Sequence, residues 1–288
     1  MLPARFEYHR PGTLEEAFAL LDQHGEDAKI LAGGMSLIPL MKLRFASPGH
    51  LVDVNRITEL EGIAEGDGGL TVRALARHHE LAASDVVKAR YPAAAAAAPL
   101  VSDPLVRNRG TLGGSLAHAD PAGDWGAVML AMGAEVVATS SSGQRTIPID
   151  EFLVDTFTTA LAPNEVLTEV RIPAPPERSG GTYLKMERKV GDFATVAAAV
   201  QVSMDDGRIG RAGIALTAVG PRNVRAGEAE AALAGAEPTE ELFAEAGRLA
   251  AAAASPTSDV RGSAEYKRHV VEVFVRRGLA QAVEMAQG

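Results

Sequence analysis

Two short elements, Ala32-Gly33-Gly34-Met35-Ser36 and Thr111-Leu112-Gly113-Gly114-Ser115, restrict the fold of this 288-residue chain more than any other feature. The first sits between Lys29-Ile30-Leu31, which reads as a short buried strand, and the apolar run Leu37 to Met41, which reads as the start of a helix. The expected local structure is strand, glycine turn, helix. Glycine lacks a Cβ and reaches positive φ without steric cost, so backbone N–H groups there can approach a ligand closely. The helix start adds unpaired donors and the positive end of a dipole. An anion is the natural guest, and two such elements suit the two phosphates of one dinucleotide. Neither is a G-x-G-x-x-G fingerprint or a G-x-x-x-x-G-K-[ST] loop, which disfavours a nicotinamide Rossmann site and a P-loop nucleotidase.

Charge and cysteine content narrow the partners. With 37 acidic against 28 basic residues the net charge is −9, which repels phosphate backbones and argues against nucleic acid. There is no cysteine, so disulfides, thiolate catalysis and any iron–sulfur cluster ligated by this chain are excluded. The seven histidines include no H-E-x-x-H, and His78 and His79 are adjacent, so no metal site is expected. No leader-like start and no 18-residue uncharged apolar run are found, giving an expectation of a cytoplasmic location.

Along the chain, Thr13-Leu14-Glu15-Glu16 predicts a capped helix that stops at Gly25. Leu51-Val52-Asp53-Val54 predicts a strand that completes a βαβ unit with the first glycine turn. Gly66-Asp67-Gly68-Gly69 marks a hairpin. His78 to Ala98 is helical in tendency, and Pro99 to Gly110 reads as irregular, with Arg107 and Arg109 either near a phosphate or partner surface or solvated. Asp120-Pro121 predicts an N-cap and first helical position for a helix over Ala122 to Met132, and Trp125 reads as core. Strands follow at Ala134 to Thr139 and Val166 to Ile172. The stretch Ile172 to Gly181 is the clearest linker. Beyond it, Val196 to Met204 and Ile209 to Val219 flank an Asp206-Gly207 turn, and helices are expected near 226–234, 240–253 and 264–284.

Four segments in order, AGGMSLIPLMKLR (32–44), LVDVNRI (51–57), VRNRGTLGGSLAHADPAGD (106–124) and YLKMERKVGDFA (183–194), resemble the FAD-binding subunits of molybdenum hydroxylases of the carbon monoxide dehydrogenase type. The likeness extends over essentially the whole chain. It implies an α+β fold: a two-part FAD-binding domain of the vanillyl-alcohol oxidase type over residues 1–175, then a smaller α+β domain over 176–288. It also implies FAD as cofactor, held by Ala32, Gly33, Gly34, Met35, Ser36, Thr111, Leu112, Gly113, Gly114 and Ser115. Asp124 would lie at the ribityl-phosphate region, with Tyr183 and Lys185 near the isoalloxazine ring. No catalytic acid, base or nucleophile is expected. The implied partners are a large molybdenum-cofactor subunit and a small iron–sulfur subunit, in a dimer of heterotrimers compatible with peripheral membrane association. Carbon monoxide ranks first as the substrate of such a complex, followed by an aldehyde, xanthine or another N-heterocycle. A self-contained FAD oxidase is the rival from another class.

Overall fold

A computed structural model describes residues 2–66 and 68–288. The chain opens with β1 (Glu7–His9), α1 (Leu14–His24), β2 (Ala28–Leu31), α2 (Leu37–Leu43) and β3 (His50–Asp53). The three strands form a parallel sheet in the order β1-β3-β2, so the predicted βαβ unit is present. Thr13 caps α1 by accepting from the Glu16 N–H at 3.2 Å, and α1 buries Ala17, Phe18 and Leu21.

The second part is a five-stranded antiparallel sheet, β4-β5-β10-β6-β7, built from β4 (Ile63–Gly66), β5 (Gly69–Arg73), β6 (Glu135–Ser140), β7 (Gly143–Pro148) and β10 (Val166–Pro173). The hairpin expected at 66–69 joins β4 to β5; Asp67 lies outside the described residues. Between β5 and β6 run α3 (His78–Ala83), α4 (Asp85–Arg90), α5 (Pro92–Ala97), α6 (Pro104–Arg107), α7 (Leu112–His118) and α8 (Asp124–Met132). The short α9 (Ile149–Phe152) leads into a ribbon of β8 (Leu153–Asp155) and β9 (Thr158–Thr159) before β10.

The helical tendency of His78 to Ala98 takes the form of three helices, because Ser84 ends α3 and caps α4, and Pro92 lacks the N–H needed to continue α4 and starts α5 instead. Two expectations are corrected. The stretch Pro99 to Gly110 holds a helical turn, α6, which Asp103 caps by accepting from the Val106 N–H at 2.9 Å. The next helix begins at Asp124 rather than Ala122: Asp120 accepts from the Ala122 N–H at 2.9 Å and closes a turn ahead of the helix.

The third part is a four-stranded antiparallel sheet of β11 (Ser179–Met186), β12 (Val196–Asp205), β13 (Arg208–Thr217) and β14 (Val224–Arg225), followed by α10 (Gly227–Leu233), α11 (Glu240–Ala253) and α12 (Ala264–Gln287). The β12–β13 hairpin and the three helices fall where the sequence placed them. Strand β12 is buried on both faces. Ala197 and Ala199 join the core that includes α5 and α8, while Val196, Ala198, Val200 and Val202 join a second core with α11 and α12. Every residue of α8 is buried, as befits a helix that is apolar all round and packs against β10 on one side and β12 and β13 on the other.

Candidate functional site

The first glycine turn leaves β2 at Leu31 and enters α2 at Leu37, with Gly34 at φ +75°, a left-handed conformation that glycine adopts freely. Among the described residues, the N–H groups of Gly33, Gly34, Met35 and Ser36 donate to no protein acceptor, and the Ser36 hydroxyl makes no capping bond. Gly33 and Gly34 are themselves buried. Buried backbone donors are almost always satisfied, so consecutive orphans call for an acceptor supplied from outside the chain. An anionic group fits that need.

The turn is braced from behind. The Asn55 amide donates to Ala32 O at 2.8 Å and to Asp53 Oδ1 at 2.6 Å, and Tyr8 Oη donates to Asp53 Oδ2. Arg77 donates to Asn55 Oδ1 at 2.7 Å and to the carbonyl of Arg109. Burial opposes ionisation of Asp53, but the Tyr8 hydroxyl and Asn55 together outweigh it and hold the carboxyl below its ordinary value. Burial, then the nearby Arg109 charge, lowers Arg77. Gly33 lies directly on the 109–110 backbone, where an added Cβ would meet Arg109 O and sit 2.8 Å from Gly110 Cα. The residues 53, 55 and 77 were missed as site residues in the sequence; the Asp-Val-Asn string was the one available signal.

The second element takes a different form from the expected open cradle. Thr111 is the N-cap of α7 and its Oγ1 accepts from the Gly114 N–H at 3.0 Å. Leu112 N–H donates to Ala76 O, Gly113 N–H to Ala74 O and Ser115 N–H to Thr111 O, each at 3.0–3.1 Å. These donors are spent inside the chain. Gly113 seats α7 on Ala74, and a Cβ on Gly114 would lie 3.7 Å from Ala32 Cβ, so the helix start forms a side-chain-free wall facing the first turn. Arg107 donates to the carbonyls of Val101 and Ser102, a structural role, while the side chain of Arg109 is exposed.

Behind this wall His78 accepts from Trp125 Nε1 at its Nδ1, 3.0 Å away, which places its proton on Nε2 beside Gly110. Burial, then Arg107 and Arg77, lowers its pKa to about 4. Trp125 is core, as expected. Because the native state refuses a proton that the unfolded chain takes up at an ordinary histidine value near 6.5, this site stabilises fully above pH ~6.5 and loses about 1.4 kcal/mol per pH unit from there down to about pH 4. Urea midpoints of His78→Gln should therefore fall less between pH 7 and pH 5 than those of the parent, by the equivalent of about 2 kcal/mol. Equal pH dependence in the two chains would remove His78 as the cause.

Asp124, Tyr183 and Lys185 come together in a separate cluster where α8 meets β11. Tyr183 Oη donates to Asp124 Oδ1 at 2.7 Å, and Lys185 Nζ donates to Asp124 Oδ2 at 3.1 Å and to Leu100 O at 2.9 Å. Glu187 Oε2 lies 3.4 Å from Lys185 Nζ. Burial pushes Asp124 up, opposed by Lys185 and the Tyr183 hydrogen bond, and burial followed by the Asp124 charge pushes Tyr183 well up. Tyr183 is 3% exposed and is held in β11 as a strand aromatic anchoring Asp124. Both Asp124 oxygens are occupied by protein donors, which makes the cluster a latch between the second and third parts.

A βαβ unit with an anion-seeking glycine turn, set against the glycine-walled start of a helix and extended by an α+β domain, defines a dinucleotide-binding protein outside the nicotinamide Rossmann and P-loop classes. Residues 4–175 match the family described as FAD binding domain in molybdopterin dehydrogenase, and residues 181–282 match the CO dehydrogenase flavoprotein C-terminal domain. The chain belongs to the family of FAD subunits of molybdenum-dependent dehydrogenases. It is 44% identical to the carbon monoxide dehydrogenase medium chain of Hydrogenophaga pseudoflava, covering 98% of each. It is 38% identical to the 6-hydroxypseudooxynicotine dehydrogenase complex subunit alpha of Paenarthrobacter nicotinovorans, over 100% of this chain and 97% of that one. The solved carbon monoxide dehydrogenase of Hydrogenophaga pseudoflava that lacks the Mo-pyranopterin moiety superposes with a TM-score of 0.96 at 46% identity, covering 99% of both chains. FAD is the cofactor, and the two-domain α+β fold is that of this family.

Proposed function

We propose that this chain holds FAD at the electron-accepting position of a molybdenum hydroxylase complex, receiving electrons from iron–sulfur clusters on a small partner subunit and releasing them to an external acceptor. The observation that carries the reading is the run of four N–H groups at Gly33 to Ser36 that have no acceptor among the described residues, on a turn whose Ala32 lies beside Gly114. Those donors would take one phosphate, with the Ser36 and Ser115 hydroxyls beside it and Ala32, Met35, Thr111, Leu112 and Gly113 shaping the slot. FAD supplies the redox chemistry. The chain's own residues orient it: the Tyr8–Asp53–Asn55–Arg77 brace fixes the first turn, and the Asp124–Tyr183–Lys185 latch fixes the third part against α8. In this arrangement the FAD-binding domain is residues 1–175 and the second domain is 176–288.

With no cysteine, the chain depends on a partner for clusters, and a candidate docking face exists. Leu105, Val190 and Val260 are strongly exposed, and the segments that carry them adjoin: Asp192 pairs with Arg261 at 3.0 Å, and Gly191 lies against Ser102, just ahead of α6. Exposed apolar side chains on neighbouring segments suit burial by another chain. A large molybdenum-cofactor subunit and a small iron–sulfur subunit, two copies of each with this chain, complete the proposed assembly. No helix among the described residues is long and apolar enough to cross a membrane, and a cytoplasmic complex is the reading adopted. Carbon monoxide is its first substrate candidate, because the 44% relative is named for it; the 38% relative keeps an N-heterocycle as the alternative.

Co-expression of the three chains, followed by flavin spectra with carbon monoxide, an aldehyde and an N-heterocycle in turn, tests this. Bleaching of the flavin bands by one of them in the complex and by none in the isolated chain is expected. An isolated chain that turns over a substrate would overturn the proposal in favour of a self-contained oxidase.

A further inference from the structure

The fold gathers three histidines that are far apart in sequence. His9 ends β1, His24 ends α1 and His50 begins β3, and one ligand nitrogen from each lies within 4.8 Å of the others. All three are half-buried. His9 Nε2 and His50 Nδ1 are 3.0 Å apart, and the His24 ring lies over the His50 ring at 3.6 Å between centroids. We propose that Glu7, His9, His24 and His50 form a binding site for a divalent first-row metal ion of the zinc type.

A tetrahedral zinc with nitrogen ligands at 2.0–2.1 Å needs those nitrogens about 3.4 Å apart, so His9 and His50 already stand near the required spacing. His24 would have to turn its ring out of the stack to take up that spacing, a change of side-chain rotamer. The fourth ligand is Glu7. The parallel register pairs Glu7 with His50, and Glu7 and His9 are two residues apart on one face of β1. Glu7 Oε2 lies 3.7 Å from His50 Nδ1, the same nitrogen that faces His9, which brings a carboxylate to the edge of the three-histidine group.

An independent feature points to the same use. A ligating imidazole is commonly held by a carboxylate on its other nitrogen. Asp27 Oδ2 lies 4.0 Å from His50 Nε2, and the Gly49 N–H fixes the other oxygen of Asp27 at 2.8 Å. Three imidazoles and one carboxylate suit borderline cations such as zinc and nickel, and disfavour magnesium and calcium, which take oxygen ligands. The ion would staple the three-residue strand β1 to α1 and to β3, the strand that pairs with β2 ahead of the phosphate-facing turn. The sequence concealed this, since positions 9, 24 and 50 follow no metal-ligand spacing, and the proposal departs from the expectation that the histidines form no site.

The test uses the full chain without an affinity tag, stripped of metal by a chelator. Equilibrium dialysis against zinc should give one bound ion per chain, with a rise in melting temperature. His24→Gln and His50→Gln should each weaken zinc binding about 100-fold, and Asp27→Asn, acting through His50, about 10-fold. FAD content should be unchanged in all three. Cobalt should give the intense visible bands of a tetrahedral site in the parent chain, a readout that needs no variant to fold. Absence of bound zinc at tens of micromolar, or full binding by a His9→Gln/His24→Gln/His50→Gln chain, overturns the proposal.

Discussion

A Gly33→Val chain is expected to lose FAD affinity by at least about 100-fold while keeping its secondary structure. The position has no room for a Cβ, because the first atoms it meets are the carbonyl oxygen of Arg109 and the Cα of Gly110, which are backbone and cannot rotate aside. The turn must then swing away from the 109–110 segment, and the four N–H groups at Gly33 to Ser36, which have no acceptor among the described residues, move with it. Hydrogen bonds to a charged group are worth about 1.5–3 kcal/mol each, so losing two of them accounts for 100-fold or more. The strain itself, about 1–3 kcal/mol, leaves a domain of this size folded. Flavin absorbance per chain and far-UV circular dichroism measure both quantities. A folded valine chain with stoichiometric FAD would mean that the turn binds nothing.

Lys185→Met should be the most damaging single change to stability. Lys185 and Asp124 side chains are 2% and 8% exposed, so removing the ammonium strands a carboxylate in a site that already pushes it toward the neutral form. Breaking a buried pair from one side costs about 3–5 kcal/mol, whereas replacing both charges with groups of similar shape is close to neutral. The double change Lys185→Met/Asp124→Asn should therefore recover most of the loss. The pH dependence has a definite sign. A folded-state carboxyl raised above its unfolded value binds its proton more tightly in the native state, so the single variant should regain stability as pH falls toward the ordinary aspartate range. Urea titrations of the three chains at pH 7 and pH 5 decide it, and a single variant within about 1 kcal/mol of the parent would show that the latch contributes little.

Much of the architecture was legible because it rests on local chemistry. The α1 cap at Thr13, the Asp206-Gly207 hairpin, the βαβ unit and the long C-terminal helices all follow from short-range rules, and the first glycine turn has the strand-turn-helix setting its residues imply. What failed depends on contacts distant in sequence. Gly113 and Gly114 look like a second loop because a glycine pair is a weak helix former, yet hydrogen bonds to Ala74 and Ala76 from another element hold them in α7. The pairing of Tyr183 with Asp124 could not be read from the sequence, because the two lie 59 positions apart. Asn55 lies in the 51–57 segment but nothing there assigns it a role, Arg77 carries no motif, and only the fold shows that they hold the two loops in register.

The two-sided burial of β12 bears on how such a chain can vary over time. On the face toward α5 and α8 its contribution to the shared core is alanine at 197 and 199, side chains already near the minimum size. Substitution there can scarcely remove atoms; nearly every change adds them, and each addition must push a helix that also supports the second sheet. The opposite face, with valines at 196, 200 and 202 against α11 and α12, can shrink or exchange shape with its neighbours. Lineages should thus remodel the outer layer of the third part readily while its inner layer stays nearly frozen, so that diversity accumulates on the side of α11 and α12.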